Sequence, residues 1–337
     1  MHILIEGPSW MGMWSELVSH ALSALGHRTC LHYHNTKPMS FRFQRLSRIA
    51  GGSAPDLAEW SNRRLLELAA QGPVDVLFSI QGKIDEATAA RIRRMHKNVK
   101  IVYWFGDVVF DRARERIRQA YGYVDLLLLS YKGEVDRFSE ELGSRVEYMP
   151  FGVSEAFHRI APLTPGERAR YGAKVAFVGT HYPERDVLLT HLAEDQGLPV
   201  SVWGRSWGRS KTLRCRGRLD MARTLKVHQA ADVSLNIHHH LSHNGFNMKF
   251  YEIPAAGGFE ICDFKPAIEE DGFSGLVETY RTADELADKI RYYLKNENAR
   301  REMAKKFQAH VFAHCTYEAR LAGLLSRLEK MPALRAA

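Results

Sequence analysis

Short apolar runs alternate with amphipathic stretches along most of this 337-residue chain, and that rhythm restricts the fold more than any other feature. Residues 2–5, 74–80, 100–105 and 124–130 read as buried strands. Between them, 85–95 and 111–121 read as helices. Residues 15–25 place Leu17, Val18, Ala21, Leu22 and Leu25 on one helical face, with Gly26 positioned to end the helix. Strands alternating with helices predict a parallel sheet covered by helices.

The rhythm breaks between about 146 and 172, where Pro150, Gly152, Pro162, Pro165 and Gly166 cluster. This stretch reads as an inter-domain connection. A second series follows, with strands at 174–178, 200–203 and 233–237 and helices at 184–195, 221–230 and 248–256. The chain from 282 to about 328 reads as almost wholly helical. A chain of this length exceeds what one core usually holds. The expected architecture is therefore α/β, two doubly wound Rossmann-like domains, 1–155 and 171–315, facing a central cleft. In such sheets ligands bind beyond the carboxyl ends of the strands.

Charge narrows the function. The formal net charge is +8, but the stretch from Arg205 to Lys226 holds eight basic residues and one acid, Asp220, a local balance of +7 that leaves about +1 for the rest. One basic segment fits a local anionic ligand, and nucleic acid is the alternative partner. Cys30, Cys215, Cys262 and Cys315 form no CxxC pair, which excludes a zinc ribbon or disulfide framework. The opening residues lack a basic segment before an apolar one, and no apolar stretch reaches the length of a membrane span. The expectation is a cytoplasmic protein without a membrane span.

Several motifs follow predicted strands. Gly7-Pro8-Ser9-Trp10-Met11-Gly12 is neither GxGxxG nor a P-loop, and reads as a backbone approach to a ligand through Gly7, Trp10 and Gly12 or as an ordinary tight turn. Gly179 and Thr180 close a strand, and Arg185 on the next helix can pair with a phosphate or simply face solvent. His238-His239-His240 invites a metal reading. Side chains alternate along a strand, so only His238 and His240 would share a ligand sphere, and contact with phosphate or sugar is the preferred reading. Asp107 follows the strand ending in Phe105 and is the candidate acceptor-side base, or else a helix N-cap. Glu6 is the weaker acidic candidate. Phe41, Arg42, Phe43, Arg45 and Arg48 form either an acceptor-lining cluster or a solvated helix face.

The richest stretch runs from His243 to Phe259. Its loop amides around Asn244, Gly245, Phe246 and Asn247 would direct a positive helix end at an anion, with Lys249 nearby. Glu252 lies in an otherwise apolar helix before Pro254 and needs a partner, either ligand hydroxyls or water. The run Asn244-x-x-Asn247-x-Lys249-Phe-Tyr-Glu252-Ile-Pro-Ala-Ala-Gly-Gly-Phe259 resembles the signature of CgeB-like (spore maturation protein type) glycosyltransferases. Further matches are the turn at Phe177 to Thr180 with Arg185, Trp203-Gly204-x-x-Trp207, Leu235-Asn236 and Thr316-Tyr317-Glu318-x-Arg320.

This resemblance implies a GT-B glycosyltransferase of the hexosyltransferase type, with the nucleotide-sugar donor on the C-terminal domain and the acceptor mainly on the N-terminal one. It implies that the helix at about 316–330 returns to the first domain. By position, Glu252 would hold the donor ribose, while Asn244 to Lys249 with Arg185 would hold the diphosphate. Trp203, Arg205, His238 and His240 join the donor set. Lys249 stands where the family usually has Arg, and Asn244 stands where retaining enzymes with an E-x7-E pattern carry their first Glu, which makes it, with Asp107, a candidate catalytic position. No Asp-x-Asp occurs, so no metal and no other cofactor is expected. The partners expected are a nucleoside diphosphate sugar and an unidentified acceptor. The competing readings are a glycosyltransferase bound to nucleic acid through 205–226, with Trp203 and Trp207 stacking on bases, and a non-catalytic nucleotide-binding protein on the same scaffold.

Overall fold

A computed structural model describes residues 1–9, 13–36, 57–210 and 212–332. Trp10, Gly12, the Phe41 to Arg48 cluster and Lys211 lie outside the described residues. The chain divides into two compact units, Met1–Pro150 with the chain from Tyr317 onward, and Phe151–Thr316.

The first unit is built on six parallel strands, β1 (His2–Gly7), β2 (Arg28–Tyr33), β3 (Val76–Ile80), β4 (Lys100–Phe105), β5 (Leu126–Leu129) and β6 (Val146–Tyr148). Their spatial order is β2-β1-β3-β4-β5-β6. The inner strands read as unbroken apolar runs because helices cover a parallel sheet on both faces. Helix α1 (Trp14–Ala24) turns Trp14, Leu17, Val18, Ala21 and Leu22 into the core. Between sheet and termini lies an aromatic knot in which Trp104 meets Trp14, Phe78 and Tyr317 edge-on. The Trp104 indole donates to Ser130 Oγ at 2.9 Å and the Met149 carbonyl at 3.0 Å. The last helix of the chain (Tyr317–Lys330) packs on α1 and so belongs with this unit.

The second unit has five parallel strands, β7 (Val175–Val178), β8 (Val200–Trp203), β9 (Val233–Asn236), β10 (Glu260–Asp263) and β11 (Glu278–Tyr280), ordered β11-β10-β9-β7-β8. Each sheet thus has its second strand outside its first and its third inside. That order makes a switch point between β1 and β3 in one unit and between β7 and β9 in the other, where doubly wound sheets bind ligands.

Three expectations change. β2, β6, β10 and β11 were absent from the sequence reading, with β6 inside the stretch read as a connection, because edge strands and short strands carry little periodicity. The expected helix over 184–195 is an α-helix at Pro183–Thr190 followed by a π-turn at His191–Asp195. The helical C-terminal stretch breaks at Asn296 and Cys315 into Ala283–Lys295, Glu297–His314 and Tyr317–Lys330. Among the described residues no helix is long and apolar enough to cross a membrane.

Candidate functional site

In the second unit the loops after β7, β8 and β9 meet at the switch point. Gly204 has φ +148°, and a Cβ there would lie 1.8 Å from the Gly179 carbonyl oxygen, so only glycine lets these loops touch. Gly179 N–H donates to the Trp203 carbonyl, and the Trp207 indole donates to the Gly179 carbonyl, both at 2.9 Å. Arg185 is buried. Its Nε donates to the Ile237 carbonyl at 3.0 Å and its Nη1 to the Thr180 carbonyl at 3.0 Å. The guanidinium therefore ties the end of β7 to the end of β9, a use the sequence reading did not foresee.

The aromatic pair of this region turns inward. Trp203 joins a core with Tyr171, Ala176, Val178 and Val227, while Trp207 packs against Phe177 and His181. Arg216 lies over the Trp203 ring, 5.1 Å from its centre. Hydrophobic burial claims both indoles, which removes the stacking platform expected for nucleotide or nucleic-acid bases. Arg205, Arg214, Arg216 and Arg218 are exposed. The segment carrying the last three runs beside the edge strand β8, where Arg216 N–H donates to the Val202 carbonyl at 2.8 Å.

The histidine triplet lies past the end of β9, so the alternation expected of a strand does not apply. His238 is buried, with Nδ1 2.8 Å from Asp263 Oδ1. His239 and His240 stack on one another and share Glu184, whose Oε1 is 2.9 Å from His240 Nδ1 and 4.0 Å from His239 Nε2. Burial pushes the Glu184 carboxyl up, but the His240 hydrogen bond, its own backbone N–H and the two imidazoles hold it below its ordinary range. Among the described residues this is the one three-ligand grouping with metal-like spacing. His239 Nδ1 accepts from Leu241 N–H at 3.1 Å, which places the neutral ring's proton on Nε2, the nitrogen a metal would need.

The signature stretch folds into helix α2 of this site (Lys249–Ala255). Glu252 is only 2% exposed. Its Oε2 accepts from Lys249 one turn earlier, and among the described residues Oε1 takes no hydrogen bond. Below it, Asn247 Nδ2 donates to Asn236 Oδ1 at 2.8 Å, and Asn236 Nδ2 donates to Glu260 Oε1 at 2.9 Å. Burial pushes the Glu260 carboxyl well above the ordinary carboxylate range. Asn244, at φ +41°, donates to both Glu270 oxygens at 3.2 Å and accepts from Ala267 N–H at 2.7 Å. Its side chain thus holds the loop to the segment after β10. Gly245 and Phe246 are buried beside it, with Phe246 stacked on Phe250.

In the first unit, Asp107 is exposed and accepts from its neighbour's Val108 N–H at 2.8 Å. The following helix starts at Asp111 with Phe110 as its N-cap, so Asp107 does not cap it. Gly7 leaves no room for a side chain, since a Cβ would lie 2.2 Å from Ser15 Oγ. The group that sequence reasoning ranked too low is Glu6. It is 1% exposed, accepts from Ser79 Oγ at 2.6 Å and from Lys83 N–H at 2.8 Å, and lies 3.0 Å from His34 Nδ1. Burial alone would raise its pKa; His34, Ser79 and the Lys83 N–H outweigh that and hold it below the usual carboxylate range. The available signal was an acid inside a strand that helices cover on both faces.

Residues 168–326 match a family described as glycosyl transferase-like. No curated protein matches the chain significantly in sequence. Three solved structures share the fold. Anabaena HepE in complex with UDP-glucose is 13% identical, with a TM-score of 0.66 and coverage of 98% of this chain and 100% of that one. A glycosyltransferase from Rickettsia africae is 11% identical, with a TM-score of 0.66 and 98% coverage of both chains. Sucrose-phosphate synthase from Thermosynechococcus elongatus is 12% identical, with a TM-score of 0.66, covering 98% of this chain and 99% of that one. Residues 168–326 are thus similar to a glycosyl transferase-like family, and the two parallel-sheet Rossmann-like units share the GT-B fold of these structures.

Proposed function

We propose that this protein is a CgeB-like glycosyltransferase that moves a sugar from a nucleoside diphosphate donor, held by the second unit, to an acceptor hydroxyl held by the first. The observation that carries the reading is Glu252. It is a buried carboxylate with one oxygen on Lys249 and the other without a partner among the described residues, on the signature helix inside the matched family region. A buried acceptor of that kind is costly unless a ligand hydroxyl fills it. The donor ribose supplies two such hydroxyls. That HepE binds UDP-glucose supports UDP as the first nucleotide to test.

On this reading Lys249, Arg205 and the exposed His240 offer cationic or donor contacts to the leaving diphosphate, and Gly179 and Gly204 let backbone approach it. Arg185 shapes the same loops from below. No divalent metal is required, because these groups supply the charge and the proton on His239 Nε2 opposes ligation at Glu184. The acceptor's identity lies with the first unit.

The test is direct. Uridine and guanosine diphosphates are titrated by calorimetry in buffer containing EDTA, and UDP release from UDP-glucose is followed by a coupled assay. Glu252→Gln should weaken UDP binding about 10- to 100-fold, the equivalent of one charged hydrogen bond lost. If no nucleoside diphosphate binds, or if turnover appears only on adding Mn2+, the proposal fails.

A further inference from the structure

The first unit carries a carboxylate–imidazole pair at its own switch point. Glu6 sits near the carboxyl end of β1, Ser79 near that of β3, and His34 just past β2. Neighbouring backbone fixes the pair. His34 N–H donates to the Gly7 carbonyl at 3.1 Å, and Asn35 Oδ1 accepts from both the backbone N–H and the hydroxyl of Ser9 at 3.0 Å. Gly82 makes room for the carboxylate, since a Cβ there would lie 1.9 Å from Glu6 Oε2. Gln81 beside it is held at φ +48°, a conformation that non-glycine residues rarely adopt.

The charge states follow from the contacts. Two N–H or O–H donors and an imidazole surround Glu6, so it stays ionised and can only accept. His34 Nδ1 faces it at 3.0 Å, off the angle of a full hydrogen bond, and the carboxylate's charge favours the proton on that nitrogen. A neutral ring must present its lone pair at Nε2, which takes no hydrogen bond among the described residues. Among the described residues the other titratable groups around the pair are Lys83, whose backbone N–H reaches Glu6, His32, bonded through Nε2 to Ser61, with Arg64 near it, and Tyr103 and Tyr123, both kept protonated by burial. None of them places a second anion on the imidazole.

We propose that His34 is the catalytic base for the acceptor and that Glu6 is the residue that positions it, an assignment that rests on the glycosyltransferase reading above. The acceptor hydroxyl gives its proton to His34 Nε2 while its oxygen forms the bond to the anomeric carbon of the sugar. The bond from that carbon to the diphosphate oxygen breaks, and its electron pair leaves with the diphosphate. Glu6 remains ionised and balances the imidazolium, which returns its proton to solvent. This replaces Asp107, which has no histidine partner and no burial.

The experiment uses the full chain, UDP-glucose as donor and water as acceptor. His34→Gln should lower kcat for UDP release about 10²- to 10⁴-fold, the usual worth of a general base, with the Kd for UDP changed less than twofold. Glu6→Gln should give a smaller loss and swap the imidazole tautomer, read as exchanged 15N shifts of the His34 ring. In case Glu6→Gln does not fold, the wild-type 15N spectrum is decisive by itself and must show His34 with Nδ1 protonated. An Nε2-protonated ring in the wild type, or His34→Gln turning over UDP-glucose at the wild-type rate, overturns the base. A wild type that neither binds UDP nor releases it from any sugar nucleotide overturns the glycosyltransferase reading instead, and the base role with it.

Discussion

Gly204→Ala tests the loop junction on which the donor-site geometry depends. The added methyl would stand 1.8 Å from the Gly179 carbonyl oxygen and 2.6 Å from its carbon, against 3.4–4 Å for ordinary contact. Backbone, unlike a side-chain tip, cannot swing aside, so one loop must move by more than 1 Å. Three costs combine. Overpacking contributes about 1–3 kcal/mol. An L-residue at φ +148° contributes about 1–3 kcal/mol of backbone strain. Moving the Gly179 carbonyl also breaks its bond from the Trp207 indole, about 1 kcal/mol. The sum is about 3–7 kcal/mol, or roughly 6–28 °C in Tm for a unit of this size. Differential scanning calorimetry of the full chain reads it, and Gly208→Ala, whose Cβ would meet nothing within 4 Å, is the control. UDP affinity should fall with the Gly204 change and not with the control. Equal melting temperatures for the two variants would refute the reasoning.

Two further perturbations test charges inside the sheets. Asp125→Ala removes the partner of a buried Arg93, whose Nη2 lies 2.8 Å from Asp125 Oδ2, and also frees Ile101 N–H. Removing this charge partner should cost about 3–5 kcal/mol in a urea titration of the full chain; a loss below 1 kcal/mol would contradict it. Glu260 behaves oppositely. Burial raises its folded pKa, so the folded state binds the extra proton, and its contribution is full below the unfolded value and lost as pH rises toward the folded one. Glu260→Gln should therefore gain on wild type as pH rises above about 5, by up to about 1.4 kcal/mol per pH unit. A difference independent of pH from 5 to 8 would refute the upward shift.

Glu6 and Glu260 show where sequence legibility ends. The strand that bears Glu6 could be read directly, because a parallel sheet covered on both faces demands apolar runs such as residues 100–105 and 126–129, whereas the four-residue β10 that bears Glu260 could not. The signature helix was equally legible, and so was the need of Glu252 for a partner. Charge state was not, because it depends on donors that the chain brings in from far away. Ser79 and Lys83 reach Glu6 across 73 and 77 residues, whereas Glu260 receives a single amide from Asn236. Two acids with nearly the same burial are therefore shifted in opposite directions, decided by how many N–H and O–H groups converge on each. The tryptophans follow the same logic from the apolar side. Their spacing fits a stacking platform, yet the core formed by Tyr171, Val178 and Val227 takes up Trp203 because no local cue in sequence states which side of the sheet lacks volume. Function in this fold thus resides where a polar residue interrupts a strand or its first turn, and its chemistry is set by contacts with high sequence separation. The ionised Glu6 is the case where those contacts produce a pair able to move a proton.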